Sequence, residues 1–130
     1  MTVQTAPTVL VVDDEEDLRE AMCRMLQRRG FATLAAADPA EAVAICRDPG
    51  RSVDLLLTDL GMPGTSGCML ARLAIEVRPE LRVLYVSGLS REMALDQGLL
   101  ADEATLVQKP YTAEGLSLAV RRALAAPDRH

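Results

Sequence analysis

The chain has almost no histidine: one in 130 residues, and that one is the last, His130. Catalysis by a histidine base and most zinc centres are therefore excluded, since both depend on imidazole. Tryptophan is absent and there is a single phenylalanine. Three cysteines, Cys23, Cys46 and Cys68, lie far apart with no C-x-x-C spacing. An odd, scattered set reads as free buried thiols in a reducing compartment. No apolar run approaches the roughly 20 residues that cross a bilayer. Met1–Pro7 lacks the basic start and apolar stretch of a signal peptide, so a cytoplasmic location and no membrane contact are expected. Basic clusters are missing too. Net charge is −5, and Arg28-Arg29 and Arg121-Arg122 are only short pairs, which argues against direct nucleic-acid binding.

What is present is a chain of one-domain length with 49% hydrophobic residues, enough for a sizeable core. Five apolar runs stand out: Thr8–Val12, Phe31–Ala35, Val53–Thr58, Val83–Ser87 and Thr105–Val107. Helix-period segments separate them. Leu18, Met22, Met25, Leu26 and Arg29 share helical spacing, with Asp17 and Glu20 as a capping box and Gly30 as the stop. Asp38-Pro39-Ala40-Glu41 opens a second helix with Val43 and Cys46 inward, closed by Pro49-Gly50. A third runs from about Ser66 to Arg78 with Leu70, Leu73, Ala74 and Val77 inward. A fourth covers Ser90–Leu100, interrupted near Gly98. The last covers Thr112–Ala125 with Leu116, Val120, Ala123 and Leu124 on one face. Strand–helix alternation of this kind predicts an α/β fold: a doubly wound, five-stranded parallel sheet with helices on both faces and the flavodoxin-like order 2-1-3-4-5. The predicted domain spans 8–125, with loose ends at 1–7 and 126–130.

Ligands of such sheets bind beyond the carboxyl ends of the strands, at the topological switch point. The first strand ends in Asp13-Asp14, the third in Asp59, the fourth in Ser87-Gly88 and the fifth in Lys109-Pro110. Strands one and three are neighbours in the predicted order, so three carboxylates converge with a hydroxyl and an ammonium close by. Two like charges about 5 Å apart repel by about 3 kcal/mol at an effective dielectric of about 20. Lys109 offsets part of this and a divalent cation the rest. Hard oxygen donors without His or thiolate point to Mg²⁺, with Mn²⁺ also accommodated. A site of this kind suits a phosphoryl group.

Together, Val11-Val12-Asp13-Asp14, Leu57-Thr58-Asp59, Met62-Pro63-Gly64 with Gly67, Val86-Ser87-Gly88 and Lys109-Pro110 resemble the receiver domain of two-component response regulators. The segment Leu89–Ala104 looks more like the receivers of hybrid sensor histidine kinases. The resemblance implies that Asp59 is the phospho-acceptor. It implies that Asp14 directly, Asp13 largely through water, Asp59 and the backbone carbonyl of Gly61 hold Mg²⁺. It further implies that Lys109 pairs with Asp59 and later with the phosphoryl group, that Ser87 hydrogen-bonds that group, and that Lys109-Pro110 is cis. A histidine kinase or phosphotransfer protein would be the donor. A downstream protein or an attached output domain would read the face made by the fourth helix, the fifth strand and the last helix. Oligomeric state is left open.

The sequence departs from the family at Leu106, where receivers often carry an aromatic; Tyr111 is the nearby ring instead. Gly61 and Leu89 would flank the acyl phosphate, and Gly61 would leave access for the water that hydrolyses it. Two other functions compete. An aspartyl phosphohydrolase would want a second carboxylate two residues after its nucleophile, and Gly61 stands there. A receiver-like binding module independent of phosphorylation would not need the complete set of Asp13, Asp14, Asp59, Ser87 and Lys109. No G-x-G-x-x-G follows the first strand and there is no Walker lysine, which argues against a nucleotide. A signalling switch, not a conventional enzyme, is the expected function.

Overall fold

The computed structural model describes residues 6–61, 66–100 and 104–125. Five parallel strands form one sheet in the order β2-β1-β3-β4-β5. They are β1 (Thr8–Val12), β2 (Ala32–Ala36), β3 (Leu55–Asp59), β4 (Arg82–Ser87) and β5 (Leu106–Gln108). The helices are α1 (Glu16–Gln27), α2 (Pro39–Arg47), α3 (Gly67–Val77), α4 (Arg91–Asp96) and α5 (Ala113–Ala125). The α/β class and the strand order are those predicted.

Strand side chains alternate between the two faces, and helices cover both, so the central strands carry apolar residues on both faces. Val9, Val11, Leu55, Leu57, Leu84 and Val86 pack with Met22 and Leu26 of α1 and Leu116 and Val120 of α5. Leu10, Val12, Leu56 and Tyr85 pack on the other face with Ala42 and Cys46 of α2, Leu70 and Ala74 of α3 and Ala94 of α4. Each buried leucine contributes about 2 kcal/mol. The same registry aligns the strand ends. Val12 lies opposite Thr58, Asp59 opposite Val86, and Ser87 opposite Gln108.

Several local expectations are corrected. Asp17 and Glu20 form no capping box: α1 starts at Glu16, its N-cap Glu15 makes no side-chain cap bond, and Glu20 faces Arg24 at 3.7 Å. In the acidic run from Asp13 to Asp17 the helix start is set by the strand end instead. Gly30 does mark the exit, with a φ of +93°. At α2 the expected cap is present, Glu41 N–H donating to Asp38 Oδ1 at 2.8 Å, while Ala42 rather than Val43 is fully buried. Leu18 and Leu73 are exposed, and Ala71 joins Leu70 and Ala74 in the α3 core face. The fourth helix stops at Asp96, where the Gln97–Gly98 turn, with Gly98 at φ +70°, ends it before Leu100. Among the cysteines only Cys46 is buried; Cys23 and Cys68 are half-buried, and all three are free. Of the expected loose ends, 1–5 and 126–130 lie outside the described residues; the Pro7 carbonyl accepts from Ala32 N–H at 2.9 Å. No helix among the described residues is long and apolar enough to cross a membrane.

Candidate functional site

β1 and β3 are hydrogen-bonded neighbours, so their carboxyl ends deliver Asp13 and Asp59 to the same edge. Asp13 is fully buried. Its Oδ1 accepts from Glu15 N–H at 2.8 Å, while its Oδ2 is buried with no hydrogen-bond partner among the described residues. Asp14, the next residue, is exposed. Asp59 turns Oδ2 to the Lys109 ammonium at 2.9 Å and Oδ1 to the Gly61 N–H at 2.9 Å. Lys109 reaches it across β4, from the turn after β5, through a cis Lys109-Pro110 peptide. The backbone fixes that turn, because Lys109 N–H donates to the Ser87 carbonyl at 2.7 Å. Ser87 is buried, and its hydroxyl accepts from Leu89 N–H at 3.0 Å, so its own turn holds it.

The electrostatics follow from this crowding. Burial pushes the Asp13 carboxyl above its ordinary value; the Glu15 N–H and Lys109 oppose that, while Asp59 and Asp14 add to it. Burial opposes the charge on Lys109, but the hydrogen bond and charge of Asp59, with Asp13 behind it, outweigh burial and raise its pKa. The ammonium stays charged at neutral pH, as a group facing anionic oxygens must.

A buried carboxylate oxygen without a partner is costly and calls for one. Among the described residues no three His, Cys, Asp or Glu side chains gather into a complete protein cage for a metal. Mg²⁺ keeps several waters and takes only one or two carboxylates from the protein. The buried Asp13 Oδ2 and the Asp59 carboxylate are hard oxygen donors of the kind such an ion takes, with exposed Asp14 next in the chain.

Asp13 also yields a stability prediction. Its carboxyl is raised in the folded protein, so the native state holds the proton more tightly than the unfolded chain. The metal-free protein therefore loses stability as pH rises through the folded-state pKa of Asp13. Asp13→Asn keeps the acceptor for Glu15 and removes the buried charge. In EDTA at neutral pH its melting midpoint should lie a few degrees above wild type, on the order of 1 kcal/mol. Scanning calorimetry across acidic to neutral pH checks this, and an equal or lower midpoint at neutral pH would contradict it.

The predicted residues Asp13, Asp59 and Lys109 are thus brought together, with Ser87 at the neighbouring strand end. Met62, Pro63 and Gly64 lie outside the described residues. The structure gives Gly67 its reason and adds Arg19. Gly67 seats α3 against the end of β3: a Cβ there would lie 2.5 Å from the Asp59 carbonyl oxygen. Arg19 of α1 donates from Nη1 to the Asp13 carbonyl at 2.8 Å. The glycine was visible in the motif without its reason; a side chain that binds a backbone carbonyl leaves no pattern in the sequence. Leu106 pairs in register with Tyr85, so the ring on that face belongs to β4.

Residues 9–121 match the family described as the response regulator receiver domain. The chain belongs to that family. It is 33% identical over 122 residues to the sensor kinase CckA of Brucella abortus, covering 93% of this chain and 13% of that kinase. Over 124 residues it is 32% identical to the C4-dicarboxylate transport transcriptional regulatory protein DctD of Rhizobium meliloti, covering 93% of this chain and 26% of that regulator. A crystal structure of a response regulator receiver protein from Sinorhizobium medicae superposes with a TM-score of 0.79 at 29% identity, covering 93% of this chain and 96% of that one. The chain thus spans a small part of those two curated relatives, one a kinase and one a transcriptional regulator. Receiver domains are signalling domains of two-component systems. In general they bind Mg²⁺ at the phosphorylation site, are phosphorylated by histidine kinases and link to output domains.

Proposed function

We infer that this receiver, spanning 8–125, accepts a phosphoryl group on Asp59 from a partner's phosphohistidine in a Mg²⁺-dependent reaction. The observation that carries the reading is the Asp59–Lys109 ion pair at 2.9 Å, beside a buried Asp13 oxygen that lacks a partner among the described residues. An Asp59 carboxylate oxygen attacks phosphorus in line, the bond from phosphorus to the donor's imidazole nitrogen breaks, and the nitrogen keeps that electron pair. Lys109 shifts from the carboxylate to a phosphoryl oxygen and stabilises the charge there. When bound, Mg²⁺ would be held by Asp14, by Asp13 largely through water, by Asp59 and by the Gly61 carbonyl, and would supply the remaining charge neutralisation. Mn²⁺ satisfies the same donors.

Ser87 then leaves the Leu89 N–H and donates its hydroxyl to the phosphoryl group. This shifts the turn before α4 and biases the face formed by α4, β5 and α5, which a downstream protein or attached output domain reads. Exposed Gly61 admits the water that later hydrolyses the acyl phosphate. The test is incubation with acetyl phosphate, with and without Mg²⁺, followed by intact mass and peptide mapping. An adduct is expected only with Mg²⁺, on the peptide containing Asp59. No adduct at high Mg²⁺ would favour a binding module that works without phosphorylation.

A further inference from the structure

The three acidic side chains of the site are not equally well placed by the fold. Asp59 sits at the end of a central strand and is held on both oxygens. Asp13 and Asp14 lie on the short link between β1 and α1, and Asp14 is exposed. Four bonds define that link. Asp13 N–H donates to the Ala36 carbonyl at 3.3 Å, which is long, and Glu15 N–H donates to Asp13 Oδ1 at 2.8 Å. Arg19 N–H donates to the Glu15 carbonyl at 2.9 Å as the first turn of α1. Among the described residues the fourth bond is the only one from a side chain outside the link: Arg19 Nη1 to the Asp13 carbonyl at 2.8 Å.

That carbonyl belongs to the peptide between Asp13 and Asp14, and the peptide is planar. Holding the oxygen restrains the plane of that peptide, and with it the position of the Asp14 Cα. Without the guanidinium, the peptide would be free to turn about its two flanking bonds, carrying Asp14 with it. The effect is geometric. The charges that act on the Asp13 carboxyl are those of Asp59, Lys109 and Asp14. Arg19 is half-buried, and its Nη1 donates to this oxygen.

We propose that Arg19 is a positioning residue for the cation site: by holding the Asp13 carbonyl it sets the acidic pair for Mg²⁺ and takes no part in the transfer itself. This rests on the phospho-acceptor reading above. Outer partners that orient metal ligands commonly change affinity by tenfold or more when removed. Arg19→Met keeps the apolar stem and loses the donors; Arg19→Lys keeps one donor.

The experiment is calorimetric titration of metal-free protein with Mg²⁺, paired with acetyl phosphate labelling over a range of Mg²⁺. For Arg19→Met, the Mg²⁺ dissociation constant should rise about tenfold. The labelling rate at saturating Mg²⁺ should stay close to wild type, and Arg19→Lys, with one donor left, should bind Mg²⁺ with an affinity between those of Arg19→Met and wild type. An unchanged Mg²⁺ affinity in Arg19→Met would overturn the proposal, as would a lower saturating rate at unchanged affinity. If Arg19→Met does not melt cooperatively, Arg19→Lys decides against wild type: intermediate weakening of Mg²⁺ binding supports the proposal, and a wild-type or fully lost affinity overturns it. A wild type that binds no Mg²⁺ and takes no label would bring down the phospho-acceptor reading, and this proposal with it.

Discussion

Asp59→Asn should reduce acetyl phosphate labelling to background while leaving the fold intact. The substitution removes the anionic oxygen that attacks phosphorus, and an amide oxygen is too weak a nucleophile to replace it. It keeps the rest of the local structure. Asparagine Oδ1 can still accept from Gly61 N–H, the bond that Asp59 makes at 2.9 Å. Two electrostatic changes work against each other. Lys109 loses its partner, and Asp13 loses a nearby negative charge that helps raise its carboxyl. A melting midpoint within a few degrees of wild type is therefore expected, on the order of 1 kcal/mol either way. Intact mass and a thermal melt on the same sample separate loss of chemistry from loss of fold. Undiminished labelling in a folded Asp59→Asn protein would place the acceptor elsewhere.

The parts of this site that the sequence displayed are those fixed by topology. Once the strand order is 2-1-3-4-5, Asp13, Asp59, Ser87 and Lys109 must all lie at carboxyl ends, and the sheet does the convergence. Caps were legible where a single candidate existed, as at Asp38, where a proline and a glutamate agree on the helix start. They were not legible in the acidic run before α1, where any of several carboxylates could have served. Helical periodicity indicated which face turns inward but not how wide that face is, so Leu18 and Leu73 fell outside it. The Arg19 contact escaped for a different reason. Its acceptor is a main-chain oxygen, which every residue carries, and only the folded backbone shows that this one lies within reach.

Gly67 is where fold and site meet most tightly, and Gly67→Ala should be among the most destabilising single-methyl changes in the chain. The first residue of α3 packs directly on the end of β3: its N–H donates to the Leu60 carbonyl at 3.0 Å. An added Cβ would lie 2.5 Å from the Asp59 carbonyl oxygen, 3.0 Å from the Leu60 Cα and 3.2 Å from the Asp59 carbonyl carbon. All three are backbone atoms, so no side chain can rotate out of the way. Either α3 lifts from the strand or the segment from Asp59 to Leu60 moves. The first exposes Leu70, Ala71 and Ala74, which are buried beneath the helix. The second displaces the acceptor carboxylate from Lys109. Overpacking against rigid neighbours costs about 3 kcal/mol, which for a domain of this size lowers the melting midpoint by roughly 10 °C. Because both escape routes involve the end of β3, labelling of Asp59 should slow as well, even below the melting temperature. Denaturant unfolding together with the labelling assay reads both effects. A Gly67→Ala protein with wild-type stability and wild-type labelling would mean that α3 does not bear on the acceptor strand as closely as these distances require.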